Sequence, residues 1–136
     1  MILEYVKQWE ENKGLLQKSF EDNLPKSYED IYKRLFELVV TNPTFSYSNE
    51  WNWETYRLID DGDYQGHQIF VLASNVYQPS LWDYIFTDVS YGSCSGCDTF
   101  EHIKYSGTSK EEQVKEFMTL ALHMVQETKT FNSKEQ

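Results

Sequence analysis

Only two of the 136 residues are cysteine, three are proline and six are glycine, which excludes a disulfide-stapled scaffold, a collagen-like repeat and a proline-rich linker. Basic residues are also scarce. Twelve Lys plus Arg stand against 22 Asp plus Glu, a formal charge of −10, and that imbalance opposes direct contact with nucleic acid or an anionic membrane. No window approaches the roughly 18 uninterrupted apolar residues that suggest a membrane span. The opening Met1-Ile2-Leu3-Glu4-Tyr5-Val6-Lys7 lacks a basic leader followed by a long apolar run, so neither a signal peptide nor a membrane-spanning segment is expected. There is no internal repeat, nucleophile elbow, phosphate-binding glycine loop or dinucleotide fingerprint.

Large rings are plentiful: ten Tyr, eight Phe and four Trp make up 16% of the chain. A disordered chain lacks them. A chain of this length can bury about 70% of its unfolded surface, and the expectation is a single α+β domain over 1–131 with a polar tail at 132–136. With no multi-cysteine framework, the two thiols suit a reducing cytosol.

The hydrophobic period changes twice along the chain. Leu3, Val6, Trp9, Leu16 and Phe20 mark an amphipathic helix, weakened at Gly14 and stopped by Asn23-Leu24-Pro25. Ser27, three residues before Asp30, is the expected N-cap of a second helix that turns Ile31, Leu35 and Leu38 inward and stops near Thr41-Asn42-Pro43. The aromatic stretch Phe45, Tyr47, Trp51 and Trp53 is too irregular for more than a loop or an edge strand. Strands follow over 56–60, 66–74 and 84–91, the first two joined by a two-residue turn at Asp61-Gly62. Asp98 is placed to cap a short helical turn with Phe100 and Ile103. Ser109-Lys110-Glu111-Glu112 is a capping-box sequence and opens a long helix with Val114, Phe117, Met118, Ala121, Val125 and Thr128 on one face. The layout predicted is an antiparallel meander of three strands, with scope for a fourth, packed against N-terminal helices and the long C-terminal helix.

A meander brings the exit of the first strand and the exit of the third to one end of the sheet. Asp60, Asp61, Asp63 and His67 then border Cys94, Cys97, Asp98 and His102. Several readings of that end compete. A zinc site would take thiolates from Cys94 and Cys97 at the usual gap, with His67 and His102 completing a tetrahedron. A redox pair would use a helix N-terminus to lower one thiol's pKa. A calcium loop starting at Asp61 fails at the fifth position, Gln65, and at the twelfth, Leu72, where a bidentate Glu is expected. A structural reading makes Gly92-Ser93-Cys94-Ser95-Gly96-Cys97 a tight turn whose thiols pack as small apolar groups. His123 lies off the apolar stripe of its helix and reads as a boundary histidine. Trp51, Trp53, Tyr77 and Trp82 either form an exposed partner-binding patch or fill the core beneath the sheet.

The segments Ile59-Asp60-Asp61-Gly62-Asp63-Tyr64-Gln65-Gly66, Tyr77-Gln78-Pro79, Ser90-Tyr91-Gly92-Ser93-Cys94-Ser95-Gly96-Cys97-Asp98-Thr99 and Met118-Thr119-Leu120-Ala121-Leu122-His123 together resemble a group of small uncharacterised proteins carried by phages and prophages of Gram-positive bacteria. The likeness spans roughly 59–126, and its most specific part is the cysteine loop. It implies a bacterial host cytoplasm and action on host or phage macromolecules. The reading is a small acidic accessory protein that binds and modulates a protein partner with a basic surface, a counter-defence inhibitor being the specific form. The acidic residues Asp60, Asp61, Asp63 and Asp98 and the aromatics Trp51, Trp53, Tyr77 and Trp82 are the binding candidates, with no catalytic residue and no cofactor other than zinc in the metal reading. Alternatives are a zinc- or thiol-dependent protein using Cys94 and Cys97, or a phage structural or assembly protein. Nothing in the sequence sets the oligomeric state.

Overall fold

The structure, a computed structural model, describes residues 2–40, 51–60, 66–74, 84–91 and 99–130. The elements run α1 (Ile2–Asp22), α2 (Tyr28–Leu38), β1 (Trp51–Asp60), β2 (Gly66–Ser74), β3 (Tyr84–Tyr91), α3 (Thr99–Lys104), α4 (Lys110–Gln126) and β4 (Thr128–Thr130). The strands form one antiparallel sheet in the order β1-β2-β3-β4. This is the α+β meander expected from the pattern, with the fourth strand present.

The caps form where the sequence requires them. Ser27 Oγ accepts from the Asp30 N–H at 3.1 Å and starts α2; Ser109 Oγ accepts from the Glu112 N–H at 3.3 Å and starts α4. Only half of the expected capping box is built at α4, because the Glu112 carboxylate turns to Lys115 at 3.7 Å. α1 runs unbroken through Gly14, where an added Cβ would meet nothing within 4 Å. Its inward stripe is Tyr5, Trp9, Leu16 and Phe20, and the gap in that stripe is filled by Asn12, whose Nδ2 donates to the Val39 carbonyl at 3.1 Å. A side chain thus takes one of the carbonyls that the end of α2 leaves unpaired.

Directly opposite residues in a ladder share a face. The pairs Phe70–Thr87 and Leu72–Ile85 are buried beneath the helices. His67–Ser90, Ile69–Asp88 and Val71–Phe86 occupy the outer face. One hydrophobic cluster joins Leu16 and Phe20 of α1, Leu35 of α2, Phe70 and Leu72 of β2, Phe100 of α3 and Phe117 of α4.

Three expectations need correction. β1 starts at Trp51 instead of Tyr56, and its register with β2 shifts between Asn52 and Arg57, so that residues 53–56 bulge opposite Leu72. The bulge is internally bonded. Thr55 Oγ1 donates to the Asn52 carbonyl at 2.6 Å and accepts from the Ala73 N–H at 2.9 Å, while Arg57 donates to the Glu54 and Tyr56 carbonyls at 3.1 and 2.7 Å. Trp53 and Tyr56 therefore both face α2, a spacing that simple alternation forbids. Second, Asp60 stands opposite Gln68, whereas a two-residue turn at Asp61-Gly62 would put it opposite Asp63. Third, α4 ends at Gln126, and Thr128 belongs to β4. Thr128 Oγ1 donates back to the Met124 carbonyl at 2.9 Å and lies 2.7 Å from Thr87 Oγ1. Its only hydroxyl proton is used on Met124, so Thr87 is the donor of the second bond.

Candidate functional site

The ladder gathers the ends of three strands at one edge of the molecule. Asp60 opposes Gln68, Gln68 opposes Val89, His67 opposes Ser90 and Gly66 opposes Tyr91. The chain leaves β3 at Tyr91 and re-enters a described element at Thr99. Asp60 and His67 are therefore neighbours at the sheet end from which the cysteine segment departs. Asp61, Asp63, Tyr77, Trp82, Cys94, Cys97 and Asp98 lie outside the described residues.

Gln68 Nε2 donates to Asp60 Oδ2 at 3.2 Å. On the outer face His67 Nδ1 sits 2.8 Å from Asp88 Oδ1 and 3.5 Å from Ser90 Oγ. Both partners converge on the same ring nitrogen. A nucleophilic triad requires the carboxylate and the hydroxyl on opposite nitrogens, so His67, Asp88 and Ser90 are not arranged for acyl transfer. Nδ1 held by a carboxylate is, however, how a metal-ligating histidine is commonly oriented. His102 lies exposed on α3, and among the described residues no group of three or more His, Cys, Asp or Glu is positioned to hold a metal.

The cysteine readings separate cleanly by experiment. A structural loop predicts that Cys94→Ser and Cys97→Ser each cost on the order of 1 kcal/mol and that a chelator leaves thermal unfolding of the wild-type protein unchanged. That is the outcome expected. One zinc per chain after purification without added metal, with strong chelator destabilisation that either variant abolishes, would move Cys94, Cys97, His67 and His102 to the centre of the mechanism.

The aromatic candidates divide differently. Trp51 is only 7% exposed and its Nε1 donates to the Val40 carbonyl at 3.0 Å, which makes it a core residue and removes it from any exposed patch. Trp53 is half-buried, edge-on to Tyr32 at 6.3 Å. Trp51 and Trp53, two apart, turn to the same side by alternation and meet Phe36 and Tyr32 of α2; the bulge brings Tyr56 to that side as well.

A cleft of about 360 Å³ opens beside the same sheet end, between β3 and the last turn of α4. Val89, Leu120 and Met124 give it an apolar floor; Asp88, His123 and Glu127 stand around it. Tyr28 forms one wall, its hydroxyl accepting from the Phe100 N–H at 3.0 Å. Asp88 and Glu127 were not among the candidate residues from sequence. The signal that could have found them is the helix end: had Thr128-Lys129-Thr130 been read as a strand, Glu127 would have fallen in the corner next to β3. A larger groove of about 570 Å³ between α1 and α4 alternates Lys110 and Lys115 with Glu21 and Glu111, and so favours no charge.

No helix among the described residues is long and apolar enough to cross a membrane. Comparison with protein-family models, with curated proteins and with solved structures finds no match.

Proposed function

We propose that this chain acts by binding: an acidic domain that docks on a protein partner with a basic surface and modulates it without chemistry of its own, inhibition of a host defence protein being the specific form. The observation that carries this reading is the sheet end, where exposed Asp60 ends β1 and exposed Asp88 borders an open cleft, on a chain of net charge −10. Exposed carboxylates on such a chain steer a basic surface toward it and penalise acidic competitors. The resemblance of 59–126 to phage and prophage proteins supports a bacterial host cytoplasm as the setting. The convergence of His67, Asp88 and Ser90 on one nitrogen weighs against hydrolytic chemistry.

The test is affinity capture of the tagged protein from infected host cells at moderate salt, run beside the variant Asp60→Lys, Asp61→Lys, Asp63→Lys. Exposed charges contribute little to folding, so the variant is expected to stay folded and to lose the partner that the wild-type protein retains. A partner retained equally by both would remove the acidic sheet end from the interface. A second reading, a zinc-dependent protein, is favoured by the hold of Asp88 on His67 Nδ1, and the chelator experiment above decides it.

A further inference from the structure

β4 accompanies β3 only along Ile85, Phe86 and Thr87. Beyond Thr87 the chain of β4 has become the end of α4, so on that side residues 88–91 have no neighbouring strand among the described residues. Every second residue of an antiparallel strand presents both its N–H and its C=O to each side. Residues 88–90 line the cleft of about 360 Å³, which opens past the point where the pairing of β3 with β4 stops. The floor beneath it is apolar and nearly closed to solvent, with Val89 at 7%, Leu120 at 7% and Met124 at 2% exposure. The rim is acidic. Asp88 and Glu127 supply carboxylates, and the C-terminus of α4 adds the negative end of a 17-residue helix.

We infer that this cleft receives an extended segment of a partner protein, which adds beside residues 88–90 as a short strand in line with β4, turning an apolar side chain inward onto the floor and an adjacent Arg or Lys side chain outward to the acidic rim. The inference rests on the reading of the chain as a binder of a basic partner, and adds where the partner docks and in what conformation. Backbone pairing on a free strand edge gives affinity, and side-chain pockets give selectivity. Alternation along the added strand turns its apolar side chains inward onto Val89, Leu120 and Met124 and its basic side chains outward, on the side where Asp88 stands. Asp88 Oδ1 lies 2.8 Å from His67 Nδ1, which fixes the carboxylate on the outer face. Because the Asp88 side chain remains 46% exposed, its pairing with a cation does not require the full desolvation of a buried ion pair.

The probe is a blocked hexapeptide alternating Val and Arg, titrated at low salt into the full-length isotope-labelled chain and followed by amide shifts, with a Val-Glu hexapeptide as control. Shifts are expected to concentrate in 88–91 and 123–127, with no binding of the control. The variant Asp88→Lys, Glu127→Lys is expected to weaken binding by about tenfold or more, and Glu127→Gln, which keeps the shape of the rim, by several-fold. Shifts centred elsewhere, equal binding of the control, or unchanged affinity in variants that keep the native spectrum would overturn the inference. So would the absence of any binding. Capture of a partner through Asp60, Asp61 and Asp63 is read in a separate experiment, so the binding function and the cleft can fail independently.

Discussion

Tyr32→Ala is expected to lower unfolding free energy by about 3–5 kcal/mol, whereas Tyr32→Phe should leave it unchanged or raise it by about 1 kcal/mol. The ring is fully buried and stacks on Phe70 at 4.6 Å and on Phe36 at 4.5 Å, with Trp53 edge-on and Tyr56 tilted beside it. Removing it would leave a cavity among rings that cannot collapse together. Among the described residues its hydroxyl has no hydrogen-bond partner, so deleting the oxygen alone relieves a buried unsatisfied group. Urea unfolding of the two variants beside the wild-type protein measures both effects.

The same cluster sets an alkaline limit. Burial first, then the nearby Tyr56 and Tyr5, holds the Tyr32 pKa well above its ordinary value of 10.0. For Tyr56, burial, then the hydrogen bond to Glu29 and the charge of that carboxylate, raises the pKa as well; the phenol donates to Glu29 Oε2 at 2.5 Å. Both groups release a proton more easily in the unfolded chain. Their contribution is therefore complete below about pH 10 and falls as pH rises above it, and Tyr32→Phe with Tyr56→Phe should flatten that decline.

The second large effect is at Arg34. Its Nε and Nη2 donate to the two oxygens of Asp30 at 3.0 and 2.8 Å, and Nη1 donates to the Asn23 carbonyl at 2.6 Å and to the Ser19 carbonyl at 3.3 Å. The guanidinium also lies 5.5 Å from the Phe20 ring centre. One side chain thus ties the last turn of α1 to α2 through a planar fork that an ammonium group cannot reproduce. Arg34→Ala should cost about 2–4 kcal/mol, and Arg34→Lys should recover less than half of that. The loss should persist in high salt, since the Arg34 side chain is only 17% exposed. By contrast, the exposed Lys13–Glu10 pair at 3.0 Å should contribute about 0–1 kcal/mol and be screened. Urea unfolding at low and high salt distinguishes the two.

Helix starts were legible in the sequence because Ser27 and Ser109 satisfy amide protons locally, with no help from the rest of the chain. β2 and β3 were legible because short apolar runs bounded by turn residues have few alternatives. What escaped was decided at a distance. Trp53 and Tyr56 face the same way only because a bulge held by Thr55 and Arg57 breaks the alternation. Thr128 fits the face of α4 by spacing, yet its hydroxyl does more by returning to Met124 while joining Thr87. The meander correctly brought Asp60 beside His67. The partnership of Asp88 with His67 depended on a diagonal across β2 and β3, and the proximity of Glu127 on where α4 yields to β4, neither of which composition or periodicity encodes.

Binding steered by the acidic sheet end is the central claim, and the association rate of the captured partner, measured against ionic strength, tests it most directly. The wild-type rate is expected to fall steeply as salt rises. For Asp60→Lys, Asp61→Lys, Asp63→Lys the rate should start lower and change little with salt; a variant that associates as fast as the wild-type protein, with the same salt dependence, would contradict the account.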